Sequence, residues 1–377
     1  MTDESDVYRR LQKHLDALPI AFPATPSGVE LRILRRLFTE EEAEVALGLS
    51  AVPEPVEKIE RRLPGRRADE LERCLDGMVA KGAIFGGPQL ARGGQKCYSR
   101  APLAIGMYEA QVDRLTKELQ QDFDQYTREG FAAALLTGKT VQMRTIPVNA
   151  RFVPGRLVGR YDDARRLIAE GRGPWATRNC VCRQGKDLLG EPCRQTGARR
   201  VCLLIGRVAQ AATASGEGRE LTRDETLALL DQAEREGMVL QPSNTRDPVF
   251  ICLCCGCCCG MLQAARRFPR PAEYLHSNYQ AAVDRTLCTE CETCRSRCPM
   301  EALRSLDGAS DVDLDRCIGC GACVGTCPTG AVTLRAKPRA TVPPKGLSAL
   351  YGRIMVERFG VLGTAKRIGR VLLGRQV

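Results

Sequence analysis

Eight cysteines recur at one spacing near the end of the chain, and no other sequence feature restricts the fold as strongly. Each set of four reads C-x2-C-x2-C-x3-C and is followed by proline. Three thiolates two residues apart on a tight loop can reach three irons of one cubane, whereas the fourth leaves the loop and faces the other half of the repeat. The first set is Cys288, Cys291, Cys294 and Cys298, and the second is Cys317, Cys320, Cys323 and Cys327.

This spacing is the pattern of bacterial two-cluster ferredoxins, and it predicts two 4Fe-4S clusters whose ligands cross between the sets. Two zinc sites are the alternative, but zinc gives no reason for the shared Cys-Pro ending. One cluster is expected to take Cys288, Cys291, Cys294 and Cys327. The other is expected to take Cys317, Cys320, Cys323 and Cys298.

The residues between the cysteines differ in the two sets. Gly319 and Gly321 in the second set allow backbone N–H groups to approach a cluster. Glu290 and Glu292 stand in the corresponding places of the first set. Carboxylates beside a cluster disfavour its more negative, reduced state, so the first cluster is expected to have the lower potential.

A second group of cysteines lies in the middle of the chain. NCVCRQ supplies Cys180 and Cys182, Cys193 follows, and CLCCGCCCG supplies six thiols within eight residues. One or two buried thiols could pack as small apolar groups, but crowded thiols invite metal binding or oxidation. The sequence therefore predicts one or more additional Fe–S clusters built from both segments, with a zinc knuckle as the alternative. The six thiols of the second segment are Cys252, Cys254, Cys255, Cys257, Cys258 and Cys259.

The 20 cysteines among 377 residues raise the question of disulfides. Disulfide scaffolds belong mainly to small secreted chains. The beginning MTDESD shows no basic and apolar signal region, and no apolar run reaches the ~18 residues of a membrane span. We therefore expect a cytoplasmic protein with metal-bound cysteines. G-x-G-x-x-G, Walker and C-x3-C-x2-C motifs are absent, so no nucleotide, flavin or radical-SAM site is predicted.

The pattern of apolar residues, capping boxes and turns predicts an α+β protein. Capping boxes indicate helices that begin after Thr39, with Glu42, and after Thr222, with Glu225. The proline-rich stretches 19–26 and 336–346 are typical of linkers. The predicted domains are a winged-helix-like domain at 28–120, a mixed α/β cysteine-rich middle domain at 121–279, a two-cluster ferredoxin module at 280–335 and a basic amphipathic tail at 343–377.

Charge bears on the role of the first domain. Residues 28–120 hold fifteen basic and fifteen acidic side chains. Because phosphate contacts supply most of the affinity for DNA, this balance favours a docking or dimerisation module over DNA binding.

Most of the net charge of +11 lies in the tail, where residues 336–377 hold nine basic residues and one acid. A basic helix with an apolar stripe is expected to contact a membrane surface or an acidic partner. Gly360, Gly363 and Gly369 weaken such a helix by up to ~1 kcal/mol each. The predicted apolar stripe is Leu350, Ile354, Val361, Ala365, Ile368 and Leu372, and the charges are Arg353, Arg358, Lys366, Arg367 and Arg370.

The segments NCVCRQ, ICLCCGCCCG and SNY resemble those of large 4Fe-4S ferredoxin-like proteins of anaerobic bacteria, in which a cysteine-rich middle segment precedes a two-cluster domain. The resemblance implies an electron-transfer protein, or an oxidoreductase subunit, that works with a redox partner. One alternative is a redox-responsive regulator that reads DNA through residues 28–120. A third is a catalytic centre at CLCCGCCCG.

Overall fold

The chain folds into two compact units in this computed structural model, which describes residues 5–89, 93–153 and 159–372. The first unit comprises Met1–Lys139 with Tyr351–Val377, and the second comprises Thr140–Leu350.

The first unit is mainly helical and carries one antiparallel hairpin. Its helices before the tail are α1 Val7–Asp16, α2 Val29–Leu37, α3 Glu40–Leu47, α4 Val56–Glu60, α5 Ala68–Ala80, α6 Lys117–Tyr126 and α7 Ala132–Leu136, and its strands are β1 Ile84–Gln89 and β2 Gln95–Arg100.

Helix α1 and the proline-rich stretch after it, residues 19–26, both contribute to the core of the first unit. The side chain of Asp6 caps the helix by accepting a hydrogen bond from the backbone N–H of Tyr8. Leu11 of α1 and Phe22 of the proline-rich stretch are both buried. Apolar side chains within the stretch thus make it part of the core, so the prediction of a linker at 19–26 was wrong.

Residues 28–100 form the helices α2 to α5, which are followed by the hairpin of β1 and β2. Thr39 and Glu42 form the expected capping box of α3, and Leu71, Leu75 and Met78 of α5 are buried. The sequence did not indicate α4, which inserts between α3 and α5. The winged-helix arrangement stays a prediction.

The second unit is built on a five-stranded sheet in the order β5-β3-β4-β7-β6, in which every neighbouring pair is antiparallel. The strands are β3 Trp175–Asn179, β4 Arg200–Ile205, β5 Arg219–Leu221, β6 Val239–Pro242 and β7 Phe250–Cys254. The helices of this part are α8 Ala164–Glu170, α9 Val181–Leu188, α10 Arg207–Ala214, α11 Arg223–Arg235, α12 Gly260–Arg266 and α13 Pro271–Tyr274.

One face of this sheet builds the core of the unit. Leu203, Ile251 and Leu253 point into a buried cluster with Ile168 of α8 and Leu230 of α11. Helix α11 begins at the predicted capping box of Thr222 and Glu225. The opposite face is left for cysteines, because side chains alternate along a strand.

The motif cysteines of the same unit lie in the segments that connect the strands of two small antiparallel sheets. Strand β8 Tyr279–Val283 pairs with β11 Val332–Ala336, and β9 Leu303–Leu306 pairs with β10 Ala309–Val312. The short helix α14 Thr293–Arg297 contains Cys294 and ends directly before Cys298.

A buried ion pair ties these sheets to the cysteine-rich part. Asp162 is fully buried and pairs with the guanidinium of Arg144. Its Oδ2 also accepts hydrogen bonds from Asn278 Nδ2 at 3.0 Å and from the Tyr279 hydroxyl at 3.1 Å. Asn278 further binds the backbone of Thr341, so the predicted linker at 336–346 is docked on the second unit.

The tail forms α15 Leu347–Leu372, with a break at Gly360, where φ is +70°. Leu350 and Ile354 are buried, but Val361 is 70% exposed and Ile368 is 54% exposed. The break rotates the second half of the helix, so the predicted apolar stripe is not continuous. Residues 373–377 lie outside the described residues.

Among the described residues, no helix is long and apolar enough to cross a membrane.

Candidate metal centres

Cys298 of the first motif lies with three cysteines of the second motif. The four border one small cavity that is otherwise lined mainly by apolar residues. The cysteines therefore cross between the two runs, because the fourth cysteine of the first run lies with the first three of the second. The cysteines at this cavity are Cys298, Cys317, Cys320 and Cys323.

Backbone groups from neighbouring elements hold these thiols in place. The N–H of Ala281 on β8 donates to Cys317 Sγ at 3.2 Å, and the N–H of Ala302 donates to Cys298 Sγ at 3.2 Å. Burial raises the pKa of Cys320 to about 12. A metal that binds here must therefore displace thiol protons, which couples binding to proton release.

The other motif cysteines form a more open site. The N–H of Ser310 on β10 donates to Cys288 Sγ at 3.3 Å and lowers the pKa of that thiol. Cys327 is close enough to Cys288 to oppose this shift. Cys294 is buried, whereas Cys291 is exposed and accepts a hydrogen bond from Thr293 Oγ1 at 3.3 Å.

The two motif loops share one backbone conformation despite their different residues. Glu290 and Glu292 have φ of 54° and 58°, and Gly319 and Gly321 have φ of 63° and 76°. A Cβ atom at Gly319 would collide with the carbonyl oxygen of Tyr279, so the second loop requires glycine there. The glutamates adopt a strained conformation that costs of order 1 kcal/mol each.

Six middle cysteines meet on the free face of the five-stranded sheet. Each thiol lies close enough to the next to interact with it, so that the six form a continuous series. The order of the series is Cys180, Cys182, Cys259, Cys254, Cys252 and Cys202. We call these residues the six-thiol group.

The register of two strands and the starts of two helices bring these six cysteines together. Cys202 on β4 is the direct partner of Cys252 on β7, and Cys254 lies two residues farther on the same face. Cys180 is the N-cap of α9, and Cys259 is the N-cap of α12. Two strands and two helix starts thus converge on one point.

Two arginines and one glutamine lie near thiols of the six-thiol group. Hydrogen bonds from Cys202 and Cys254, together with the charges of Arg178 and Arg183, lower the pKa of Cys252. The Nε2 of buried Gln241 lies 3.9 Å from Cys259 Sγ. Such partners favour the deprotonated form of Cys252, which is the form that binds metal.

The remaining four middle cysteines form a separate cluster, which we call the four-thiol cluster. The Sγ atoms of Cys193, Cys255, Cys257 and Cys258 all lie within 4.8 Å of one another. Cys193 comes from the loop after α9, and the other three come from the turn between β7 and α12.

The sequence indicated nine of these ten cysteines but left the assignment within CLCCGCCCG open. Cys252, Cys255 and Cys258 form a C-x2-C-x2-C run in the sequence, yet Cys252 lies in the six-thiol group and the other two lie in the four-thiol cluster. Cys202 was not assigned to a site, and neither was Arg183. The alternation of RVCLLI, which places Cys202 opposite Leu203, was the available signal for Cys202.

The 4Fe-4S dicluster domain family matches residues 281–328, so the chain contains a 4Fe-4S dicluster domain. The match covers all eight motif cysteines, the β9–β10 hairpin and part of β8. No solved structure matches this chain.

Curated relatives match the same part of the chain. The dihydromethanopterin reductase (acceptor) of Methanosarcina mazei is 45% identical over 53 residues, which are 13% of this chain and 22% of that protein. An uncharacterized ferredoxin of Methanocaldococcus jannaschii is 42% identical over 50 residues, or 13% of this chain and 33% of that protein. A pyruvate synthase subunit of the same organism is 34% identical over 56 residues, which are 15% of this chain and 65% of that protein.

These relatives are ferredoxins and oxidoreductase components, and the similarity to each is local. The aligned part of this chain spans from about a fifth to just under two thirds of their length.

Proposed function

We propose that this protein is an iron–sulfur electron-transfer protein, or the electron-transfer subunit of an oxidoreductase. The observation that carries the proposal is the meeting of Cys298 with Cys317, Cys320 and Cys323 around one cavity. That arrangement is the ligand crossing of a two-cluster ferredoxin. The clusters supply one-electron transfer, and the chain's own residues bind them, exclude water on the buried side and donate N–H groups to the ligand sulfurs.

The same proposal assigns a third Fe–S cluster to the six-thiol group. Six thiols exceed the four ligands of a cubane, and Arg178 and Arg183 offset part of the negative charge of thiolates. The ligands come from segments more than forty residues apart, so binding would fasten β4, β7, α9 and α12 together and contribute to folding. The third cluster would extend the route for electrons beyond the ferredoxin sheets.

A cysteine substitution tests the third cluster. Replacing Cys182 with serine should lower iron and acid-labile sulfide by one cluster's share in protein purified without oxygen, because serine is a poor ligand for this soft site. The EPR signals of the ferredoxin clusters should remain. Cys74→Ser in α5 is the matched control, since Cys74 is half-buried and lies in neither group. Equal iron in the parent and in Cys182→Ser would remove the third cluster from the proposal.

For the first unit we propose docking rather than DNA recognition. Along α5 and the hairpin, basic side chains are paired with carboxylates: Arg66 with Glu41 at 2.7 Å, and Lys96 with Asp76 at 2.7 Å. Cations held in this way contribute little counterion release on DNA. The regulator alternative predicts a specific complex in a gel shift at physiological salt, and we expect none.

The distal half of α15 is the proposed contact with the redox partner or an anionic surface. Val361 and Leu362 are 70% and 87% exposed, and Lys366 and Arg370 lie on the same half of the helix. Removing residues 361–377 should leave cluster content unchanged and lower binding to anionic vesicles or to an acidic partner, with a weaker effect at high salt. Unchanged binding to both would contradict a docking role for this segment.

A further inference from the structure

The spacing of sulfur atoms in the four-thiol cluster is that of ligands around one ion. Cys193 Sγ lies 3.6 Å from both Cys255 Sγ and Cys257 Sγ. Cys257 Sγ lies 3.5 Å from Cys255 Sγ and 3.7 Å from Cys258 Sγ. A tetrahedral zinc site with Zn–S bonds of about 2.3 Å requires sulfur atoms about 3.8 Å apart.

A cubane would need a wider set of ligands. Its four thiolates bind four separate irons at the corners of the cluster, so the sulfur atoms spread around the whole core. The sequence also separates this cluster from the ferredoxin pattern. Cys255, Cys257 and Cys258 lie within four residues, whereas each ferredoxin run spaces its first three cysteines by two residues.

Hydrogen bonds hold both arms of the cluster in place. Gln195, two residues after Cys193, donates from Nε2 to the carbonyl oxygens of Glu236 and Gly237 at 2.8 and 2.7 Å. Gln263 of α12 donates to the carbonyl oxygen of Cys257 at 2.6 Å. The N–H of Cys259 closes the turn onto the carbonyl oxygen of Cys255 at 3.1 Å.

The buried guanidinium of Arg183 places a positive charge beside the four-thiol cluster. Arg183 is 1% exposed, donates to the carbonyl oxygens of Ala198 and Leu253, and contacts the thiol of Cys255. Its Nε is buried and has no hydrogen-bond partner among the described residues. Zn²⁺ with four thiolates carries a net charge of −2, so a buried cation beside it reduces the cost of burying that charge.

We propose that Cys193, Cys255, Cys257 and Cys258 bind one zinc ion in a closed tetrahedral site that is separate from every Fe–S cluster. A four-sulfur set without an open position is typical of structural zinc. The ion fastens the loop after α9 to the turn before α12. That turn packs on the ferredoxin part, because a Cβ atom at Gly256 would lie 3.1 Å from Pro299 Cβ, next to Cys298. The zinc thus fixes the cysteine-rich part against one ferredoxin site.

Metal analysis of the full chain purified without oxygen tests the proposal. We expect about one zinc per chain, and X-ray absorption at the zinc edge should show four sulfur neighbours at about 2.3 Å with no second metal nearby. Cys193→Ser and Cys257→Ser should each lose the zinc. Cys182→Ser is the matched control, because it changes a middle cysteine of the other group and should keep the zinc.

The outcome separates this proposal from the electron-transfer function. Zinc lost from Cys193→Ser but retained in Cys182→Ser, with the ferredoxin EPR signals present in both, supports the separate site. No zinc in the parent, or iron in its place, overturns the proposal, and so does zinc that is unaffected by both substitutions. Should Cys193→Ser fail to fold, the absorption spectrum of the parent decides, because a metal neighbour close to the zinc would contradict a single-ion site.

Discussion

Replacing Cys298 with serine is expected to remove the same cluster signal as replacing Cys320, although the two cysteines belong to different motif runs. Both border one cavity, and the N–H of Ala302 orients Cys298 Sγ. By the same reasoning, Cys327→Ser should resemble Cys291→Ser. EPR of the dithionite-reduced variants, with iron and sulfide per chain, measures which cluster each substitution removes.

A different result is expected if the cluster ligands do not cross between the two motif runs. If the ligands did not cross, Cys298→Ser would match Cys291→Ser and leave the signal that Cys320→Ser removes. Cys74→Ser should retain all signals, because its thiol lies in α5, outside both motif sets. The effect on cluster content is large because serine leaves one iron of a cubane without its thiolate ligand.

Replacing Arg144 with methionine is expected to destabilise the second unit by about 3–5 kcal/mol, since it leaves a buried carboxylate without its cation. Arg144 is 5% exposed, and Asp162 accepts hydrogen bonds from Asn278 and Tyr279 in addition to the ion pair. Anaerobic urea unfolding, followed by far-UV circular dichroism, measures the loss.

Two further variants test whether the loss of stability comes from the buried ion pair or from the removal of any positive charge. Arg166→Met removes an exposed partner of Glu170 on α8 and should change the unfolding midpoint little. Adding Asp162→Leu to Arg144→Met should recover part of the stability, because no unpaired charge then remains buried. Equal midpoints for Arg144→Met and Arg166→Met would contradict the role of the pair.

Local signals in the sequence were sufficient for the elements that depend on neighbouring residues. The capping boxes at Thr39 and Thr222 start α3 and α11, as predicted. The dicluster domain was also predicted, because its motif fixes the loop geometry through the cysteine spacing itself and now matches a family over residues 281–328.

Features that depend on distant residues could not be predicted in the same way. The division of CLCCGCCCG follows from the end of β7 at Cys254, because Cys252 and Cys254 lie on the sheet face and the next three thiols lie in a turn. The start of α12 then returns Cys259 to the six-thiol group. Cys193 was predicted as a partner of CLCCGCCCG, but its separation from Cys180 and Cys182 depends on the long-range contacts of Gln195 with Glu236 and Gly237. A single backbone angle at Gly360 likewise redirected the apolar stripe of α15, which periodicity alone treats as continuous.

A reductive titration of the protein, purified without oxygen and followed by EPR, tests the central claim most directly. We expect uptake of at least about two electrons per chain, with spectra of two 4Fe-4S clusters close enough to interact. Iron and acid-labile sulfide in equal amounts should accompany them. A protein that takes up no electrons, holds zinc at both motif sites and contains no sulfide would contradict the electron-transfer function.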